Sequence, residues 1–323
     1  MRVVVIGGTG HIGSYLTPRL VESGHDVVVL SRGEQQPYRS HPAWGRVAMV
    51  QADRDAEEAA GTFGDRIIGL GPDAVVDLTC FTPESAAALL DAVRGRLGHL
   101  LHCGTIWVHG PAVEVPVTED APRRPFGAYG EAKAATEEVL LSESRRGGVP
   151  TTILHPGHIV GPGWAPIGPA GNLDLDVVGR LARGDEVLLP NAGLETLHHV
   201  HAADVAHGFE QALRHRSFAV GESFHVTSER AVTLRGFAEV VAAWFGCEAN
   251  LRYAPLQQWE ADGSEHAAAT VQHVLHSPSV SIEKAWRLLR YRPQYTSLEA
   301  VAESLDWLIE HGRLDLGGLR PPL

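Results

Sequence analysis

Six short runs in the first half of the chain are apolar almost without interruption: Val3–Ile6, Val27–Leu30, Val47–Val50, Ala74–Leu78, His99–His102 and Thr151–Leu154. An alternating pattern would mark strands with one wet face. Continuous runs of this length, rich in β-branched residues, instead mark strands covered on both faces, which is the condition of a parallel sheet between helical layers. Helical stretches fall between them, at about Gly13–Ser23, Pro83–Arg96 and Gly127–Arg146, and Ala86, Leu89, Leu90 and Val93 recur at helical spacing. The succession predicts an α/β fold with a doubly wound, Rossmann-type parallel sheet and right-handed crossovers.

The pattern changes beyond Leu154, where His155–Gly171 holds four prolines and five glycines and reads as a loop. Glu186–Leu189, His198–His201, Asp204–Leu213, Ser223–Val226 and Leu234–Phe245 then return as strands and helices. A last helix over Ser297–His311 packs Leu298, Val301, Leu305 and Leu308 on the body, and the tail Gly317–Leu323 is expected to fray. We expect a dinucleotide-binding unit from residues 1–160 with about 199–220. A smaller, discontinuous substrate-binding region takes 161–198 and 221–323.

The first run leads into Gly7-Gly8-Thr9-Gly10-His11-Ile12-Gly13 and then a helix. Glycines at 7, 10 and 13 allow a tight turn, let backbone amides approach a pyrophosphate, and let helix pack on strand. The helix N-terminus adds donors and a positive dipole end. Gly7, Gly10, His11, Ile12 and Gly13 are therefore expected to hold a dinucleotide. Where a site for NAD carries an acid at the end of the second strand, this chain has Ser31-Arg32. Arg32 could take a 2′-phosphate bidentately, which points to NADP with NAD as the alternative, or it could be a solvated loop residue. Asp53, after the third strand, could accept from the adenine amino group or be an ordinary loop acid. Leu78 and Thr79, after the fourth, and Pro156, after the sixth, complete the expected cofactor surface.

Tyr129 and Lys133 stand at i and i+4, on one side of a helix. An ammonium beside a phenol lowers a pKa that is ordinarily about 10, giving an acid/base for a carbonyl or a carbinol. Thr105, just past the fifth strand, could hold the same substrate oxygen. Trp107 and Trp164 could line an apolar pocket or belong to the core. His158 and Asn172 lie in the loop where a substrate would sit.

These motifs together resemble the extended short-chain dehydrogenase/reductases of the epimerase/dehydratase-like group. The resemblance runs from the Gly7–Gly13 loop through Asp53, Thr105, Tyr129 and Lys133. It continues in His155-Pro156-Gly157, His199-Val200-His201-Ala202-Ala203-Asp204 and Ser281-Ile282-Glu283-Lys284-Ala285. It implies Tyr129 as acid/base, Lys133 on the nicotinamide ribose, Thr105 on the substrate oxygen, Pro156 near the nicotinamide, and a homodimer through the helices after strands four and five. There are departures. Ile106-Trp107 replace the Asp-Glu pair of the dehydratases, and Leu197 and Val271-Gln272-His273-Val274 stand where epimerases carry diphosphate-clamping arginines. Asn172-Leu173 does resemble a uridine-diphosphate-sugar contact.

Charge and composition narrow the partners. With 27 Lys and Arg against 39 Asp and Glu, the net charge of −12 opposes nucleic acid or an anionic membrane as the main partner. Cys80, Cys103 and Cys247 are too few and scattered for a disulfide framework, and Cys80 and Cys103 read as small buried residues. Eighteen histidines show no zinc-binding spacing, so His198, His199, His201 and His207 read as structural and no metal is expected. No run approaches the length of a membrane span, and a strand at the first residues leaves no room for a leader, so a cytoplasmic location is expected. The expected function is an NADP-dependent oxidoreductase on a small carbonyl or alcohol. The alternatives are a nucleotide-sugar epimerase with transient oxidation by bound cofactor, and a non-catalytic cofactor-sensing or RNA-binding relative.

Overall fold

A computed structural model describes residues 1–262 and 265–323. In chain order the strands are β1 (Arg2–Ile6), β2 (Asp26–Ser31), β3 (Ala48–Gln51), β4 (Ala74–Asp77), β5 (His99–Cys103), β6 (Thr151–Pro156), β7 (His158–Val160), β8 (Glu186–Pro190), β9 (Thr196–Leu197), β10 (His199–His201), β11 (Ser223–Val226), β12 (Val232–Thr233) and β13 (Asn250–Ala254). The helices are α1 (Gly13–Glu22), α2 (Arg54–Ala59), α3 (Phe63–Gly69), α4 (Pro83–Val93), α5 (Gly127–Arg145), α6 (Asp176–Arg183), α7 (Ala202–Arg214), α8 (Arg216–Ala219), α9 (Leu234–Trp244), α10 (Leu256–Asp262), α11 (Ala267–His276), α12 (Glu283–Leu289) and α13 (Ser297–Glu310).

Seven strands form one parallel sheet in the order β11-β6-β5-β4-β1-β2-β3. Because side chains alternate along a strand, each apolar run feeds two cores. Val3, Val5, Val27, Val29 and Val76 pack with Leu16 and Leu20 of α1 and Val205 and Phe209 of α7. Val4, Ile6, Val28, Leu30 and Val75 pack with Leu89, Leu90 and Val93 of α4 and Leu140 of α5. A third core joins α6, α9 and α13 through Leu181, Phe237 and Leu305, and it carries the substrate side. The strand order reverses between β1 and β4, so the crevice at their carboxyl ends is where such a sheet binds ligands.

The doubly wound parallel sheet follows the sequence pattern, with two corrections. Ser223–Val226, expected in the substrate region, pairs in parallel with β6 and closes the sheet as its seventh strand. The helices α2 and α3 went unrecognised because Phe63 and Ile67 are their only buried residues. The tail is also better anchored than expected, with Pro321 buried and Arg320 paired to Asp306. Among the described residues, no helix is long and apolar enough to cross a membrane.

Candidate active site

Gly7 leaves β1 at φ +82°, and a Cβ there would lie 2.5 Å from the Thr79 methyl. A Cβ on Gly13 would lie 2.4 Å from the Gly8 carbonyl, so α1 rests directly on the loop. No side chain caps α1 and its first turn has no acid, which leaves its positive end open to an anion. The loop opens on a cleft of about 520 Å³ bordered by Gly7, Gly10, Ser31, Arg32, Asp53 and Thr79, as expected for a dinucleotide. The residues therefore fit such a cofactor.

Details depart from the simple picture. Arg32 is paired to Glu34 at 3.1 Å, both about two-thirds exposed. Asp53 accepts from the Ala56 N–H at 3.1 Å and so caps α2. The His11 imidazole stacks on Trp164 (4.8 Å, 9°), leaving its backbone as the group it can offer a cofactor, and Ile12 belongs to the core. The backbone N–H of Leu78 extends the pairing with β1 by donating to Ile6 at 3.2 Å, and Pro156 pairs with Val226. Sequence reasoning missed Arg54, which also borders the cleft. Its guanidinium donates to both oxygens of Asp77 (2.8 and 3.0 Å) and holds that buried carboxyl below its ordinary range against the pull of burial.

Thr105, Tyr129 and Lys133 converge beyond β5. The Thr105 hydroxyl accepts from the Trp107 N–H at 3.3 Å, starting a short 3₁₀ turn, and bears on the Tyr129 phenol. Lys133 is buried, and its ammonium donates at 2.7 Å to the carbonyls of both Cys80 and Cys103. The expected lowering of the Tyr129 pKa is corrected here. Burial of the phenol end, with Cys103 adding to it, pushes the phenol up to about 12, opposed only by Thr105. The carbonyls of Cys103, at the end of β5, and Cys80, in the loop after β4, hold the ammonium that was expected to act on it. Tyr129 as a whole stays 45% exposed.

Beside Tyr129, Trp107 stands edge-on at 5.9 Å. His276 stacks on Trp107 at 3.9 Å and on Phe126 at 4.0 Å, while His273 meets Trp107 at 5.1 Å and His158 at 5.1 Å. Trp107 and His158 thus sit where a substrate contact was expected. Asn172 does not present its amide there. It donates to Thr270 Oγ1 (2.8 Å) and accepts from the Asp174 N–H (2.9 Å), which orders the loop instead. His276 and Phe126 carried no signal in the sequence, since α11 lies far from Trp107 along the chain, and His273 entered only within the segment that stands where epimerases carry an arginine.

Beneath the site, Glu137 continues the line of Tyr129 and Lys133 along α5. Its carboxylate accepts from Arg123 (2.7 Å) and His155 (2.6 Å), which outweigh burial and hold it well below the ordinary carboxylate range. His109, His155 and His225 bring their ring nitrogens within 4.8 Å of one another, a triad of the kind that can hold a metal. The hydrogen bonds assign their protons. The Ser281 carbonyl accepts from His225 Nδ1 (3.0 Å), so His225 Nε2 accepts from His109 Nε2–H (2.8 Å), and Arg123 donates to His109 Nδ1 (3.2 Å). Metal ligation through His109 Nε2 would need the opposite tautomer, facing a guanidinium. His198, His199 and His201 are likewise occupied, by the Ser228 carbonyl, the Ile167 carbonyl and the Ala203 N–H.

A sequence profile of the NAD dependent epimerase/dehydratase family matches residues 3–227. The chain is 26% identical to 2′-dehydrokanamycin reductase of Streptomyces kanamyceticus, over 97% of this chain and 86% of that protein. It is 24% identical to the chloroplast stem-loop binding protein of 41 kDa b of Arabidopsis thaliana, over 97% and 80% respectively. Among solved structures, UDP-glucose 4-epimerase of Thermotoga maritima with UDP-glucose superposes with a TM-score of 0.72 at 20% identity, covering 96% of this chain and 99% of that one.

Proposed function

Since the chain belongs to the NAD dependent epimerase/dehydratase family and is an enzyme of that family, we propose that it is an NADP-dependent oxidoreductase acting on a small carbonyl or alcohol, with Tyr129 as its acid/base. The observation that carries this reading is the placement of Tyr129 one turn along α5 from Lys133, whose ammonium lies 4.7 Å from the ring of Phe81 on the border of the glycine-loop cleft. The cofactor would supply or accept the hydride. Gly7–Gly13 would hold its diphosphate and Lys133 its ribose. Thr105 and Tyr129 would both bind the substrate oxygen. Burial raises the Tyr129 phenol, so it enters protonated and can donate from its hydroxyl to a carbonyl oxygen.

Similarity to a reductase over nearly the whole chain supports this reading. Epimerisation is the second reading, favoured by the family profile and by the fold shared with an epimerase. A diphosphate, once desolvated, needs cationic or amide partners, and the groups that meet Trp107 beside Tyr129 are the rings of His273 and His276. Similarity to a stem-loop binding protein is set against a net charge of −12, which provides no overall attraction for phosphates. The test is to offer NADPH with a series of aldehydes and keto-sugars. Cofactor consumed one-for-one with product supports reduction. UDP-sugar interconverted with no net cofactor change gives the epimerase reading, and RNA retention without turnover overturns both.

Cofactor choice is a separate prediction. Ser31 places no acid against a 2′-phosphate, and Arg32 can give it two charge-assisted donors. NADPH is expected to bind more tightly than NADH by about tenfold or more, roughly 1.4 kcal/mol per decade. Glu34→Gln should widen the gap by a few-fold, because an exposed ion pair competing for Arg32 is worth under about 1 kcal/mol. Ser31→Asp with Arg32→Ala should reverse the order. Fluorescence titrations of the two reduced cofactors decide it, and equal affinities in the unmodified enzyme would leave Arg32 a surface residue.

A further inference from the structure

Three imidazoles on the substrate side are held by the backbone. His276 Nδ1 lies 2.8 Å from the Gln272 carbonyl and His273 Nδ1 lies 2.7 Å from the Ala269 carbonyl. A carbonyl only accepts, so the His276 ring carries hydrogen on Nδ1 and leaves Nε2 an acceptor, while the His273 ring also faces the Gly171 carbonyl. His158 is the reverse of His276. Its Nδ1 accepts from the His198 N–H at 3.3 Å, so its Nε2 is a donor. The Nε2 atoms of His158 and His276 are both buried and have no partner among the described residues. Buried donors and acceptors are nearly always paired, and a packing role would be filled at lower cost by apolar rings.

The surroundings define what could pair with them. His276 is held between Phe126 and Trp107, and the Trp107 ring meets Tyr129 at its edge. Burial keeps all three imidazoles neutral: His276 falls to about 4, His273 below its ordinary value and His158 far below it. The side chains that bear on the charge of His158 and His276 are other histidines. Neutral acceptors repel phosphate oxygens, and a neutral donor–acceptor set beside an indole matches a ring bearing hydroxyls.

Resting on the redox reading of Tyr129 for the reacting end, we propose that the substrate half of the site takes an uncharged polyhydroxylated ring. This would be a cyclitol or a glycoside without phosphate or carboxylate, its hydroxyls paired by His158 and His276 against Trp107. Such a substrate presents a secondary alcohol or the matching ketone to Tyr129 and needs no nucleotide handle.

Binding tests this without turnover. Ligand-detected NMR on the full chain is run with methyl glucoside, myo-inositol, glucosamine, glucose 6-phosphate and uridine diphosphate. Saturable binding of the two neutral polyols is expected, with the phosphorylated ligands at least about tenfold weaker, which is about 1.4 kcal/mol. His158→Phe and His276→Phe keep the ring stack and should each weaken methyl glucoside by about tenfold. His158→Gln retains an N–H donor and should restore most of the binding, which separates lost recognition from lost folding. Tighter binding of glucosamine or of either phosphorylated ligand, indifference to both imidazoles, or no polyol binding overturns the proposal. An enzyme that binds the glycoside through His158 and His276 but reduces no carbonyl would sink the redox reading alone. A carbonyl reductase indifferent to both imidazoles would sink only this one.

Discussion

Replacing Tyr129 by phenylalanine is expected to slow NADPH-dependent carbonyl reduction by about 10² to 10⁴-fold, the range of a general acid or base, with cofactor affinity essentially unchanged. Only the hydroxyl is lost, and the ring keeps its edge contact with Trp107 at 5.9 Å. A single-turnover rate with cofactor saturating isolates the step, and a rate within a few-fold of the unmodified enzyme would remove Tyr129 from the chemistry. Lys133→Met should behave differently. It strips the carbonyls of Cys80 and Cys103 of their buried donor, so thermal stability should fall along with turnover.

Stability is expected to fall steeply between about pH 7 and pH 5.5, well before carboxylates are protonated. His99, His102 and His109 are each held down to about 3, mainly by burial. In the unfolded chain they take up protons near 6.5. The unfolded state therefore binds more protons at every pH below that value, and stability present above 6.5 is lost as the pH falls toward 3. Each costs about 1.4 kcal/mol per pH unit, about 4 kcal/mol for the three together, against a total that is typically 5–15 kcal/mol. Urea midpoints at a series of pH values measure this. A midpoint unchanged down to pH 5.5 would mean that these imidazoles are charged inside the folded protein. The Glu137 carboxyl, held low by His155 and Arg123, gives stability present above its unfolded value and lost only in stronger acid.

The sheet was legible because burial on both faces writes itself as unbroken apolar runs in five of its strands, while the edge strand β3 was read from an apolar run that the fold leaves largely exposed. Ser223–Val226 was missed as a sheet member because it returns from far along the chain to pair with β6, and a four-residue strand names no partner. Tyr129 and Lys133 were legible from a spacing that a helix fixes. What Lys133 touches was not, because the Cys80 and Cys103 carbonyls are backbone atoms that any residue could supply. Glu34 stood two residues from Arg32 in plain view, yet only the turn of the loop decides that the two meet. His276 of α11 could not be placed, since contact with Trp107 depends on how the third core docks on the sheet.

Helix α5 carries Tyr129, Lys133 and Glu137 at successive intervals of four residues, so one rod joins the phenol at the site, the ammonium that ties the end of β5 to the loop after β4, and the carboxylate of the buried ion cluster. A helix turns about 100° per residue. One residue added or deleted between Lys133 and Glu137 would swing one end of this rod through that angle relative to the other. Either the phenol would leave Thr105, or the carboxylate would leave Arg123 and His155. Length drift is therefore barred from this helix even where its outward-facing residues are free to change, and among descendants of this chain the nine-residue stretch from Tyr129 to Glu137 should stay free of insertions and deletions.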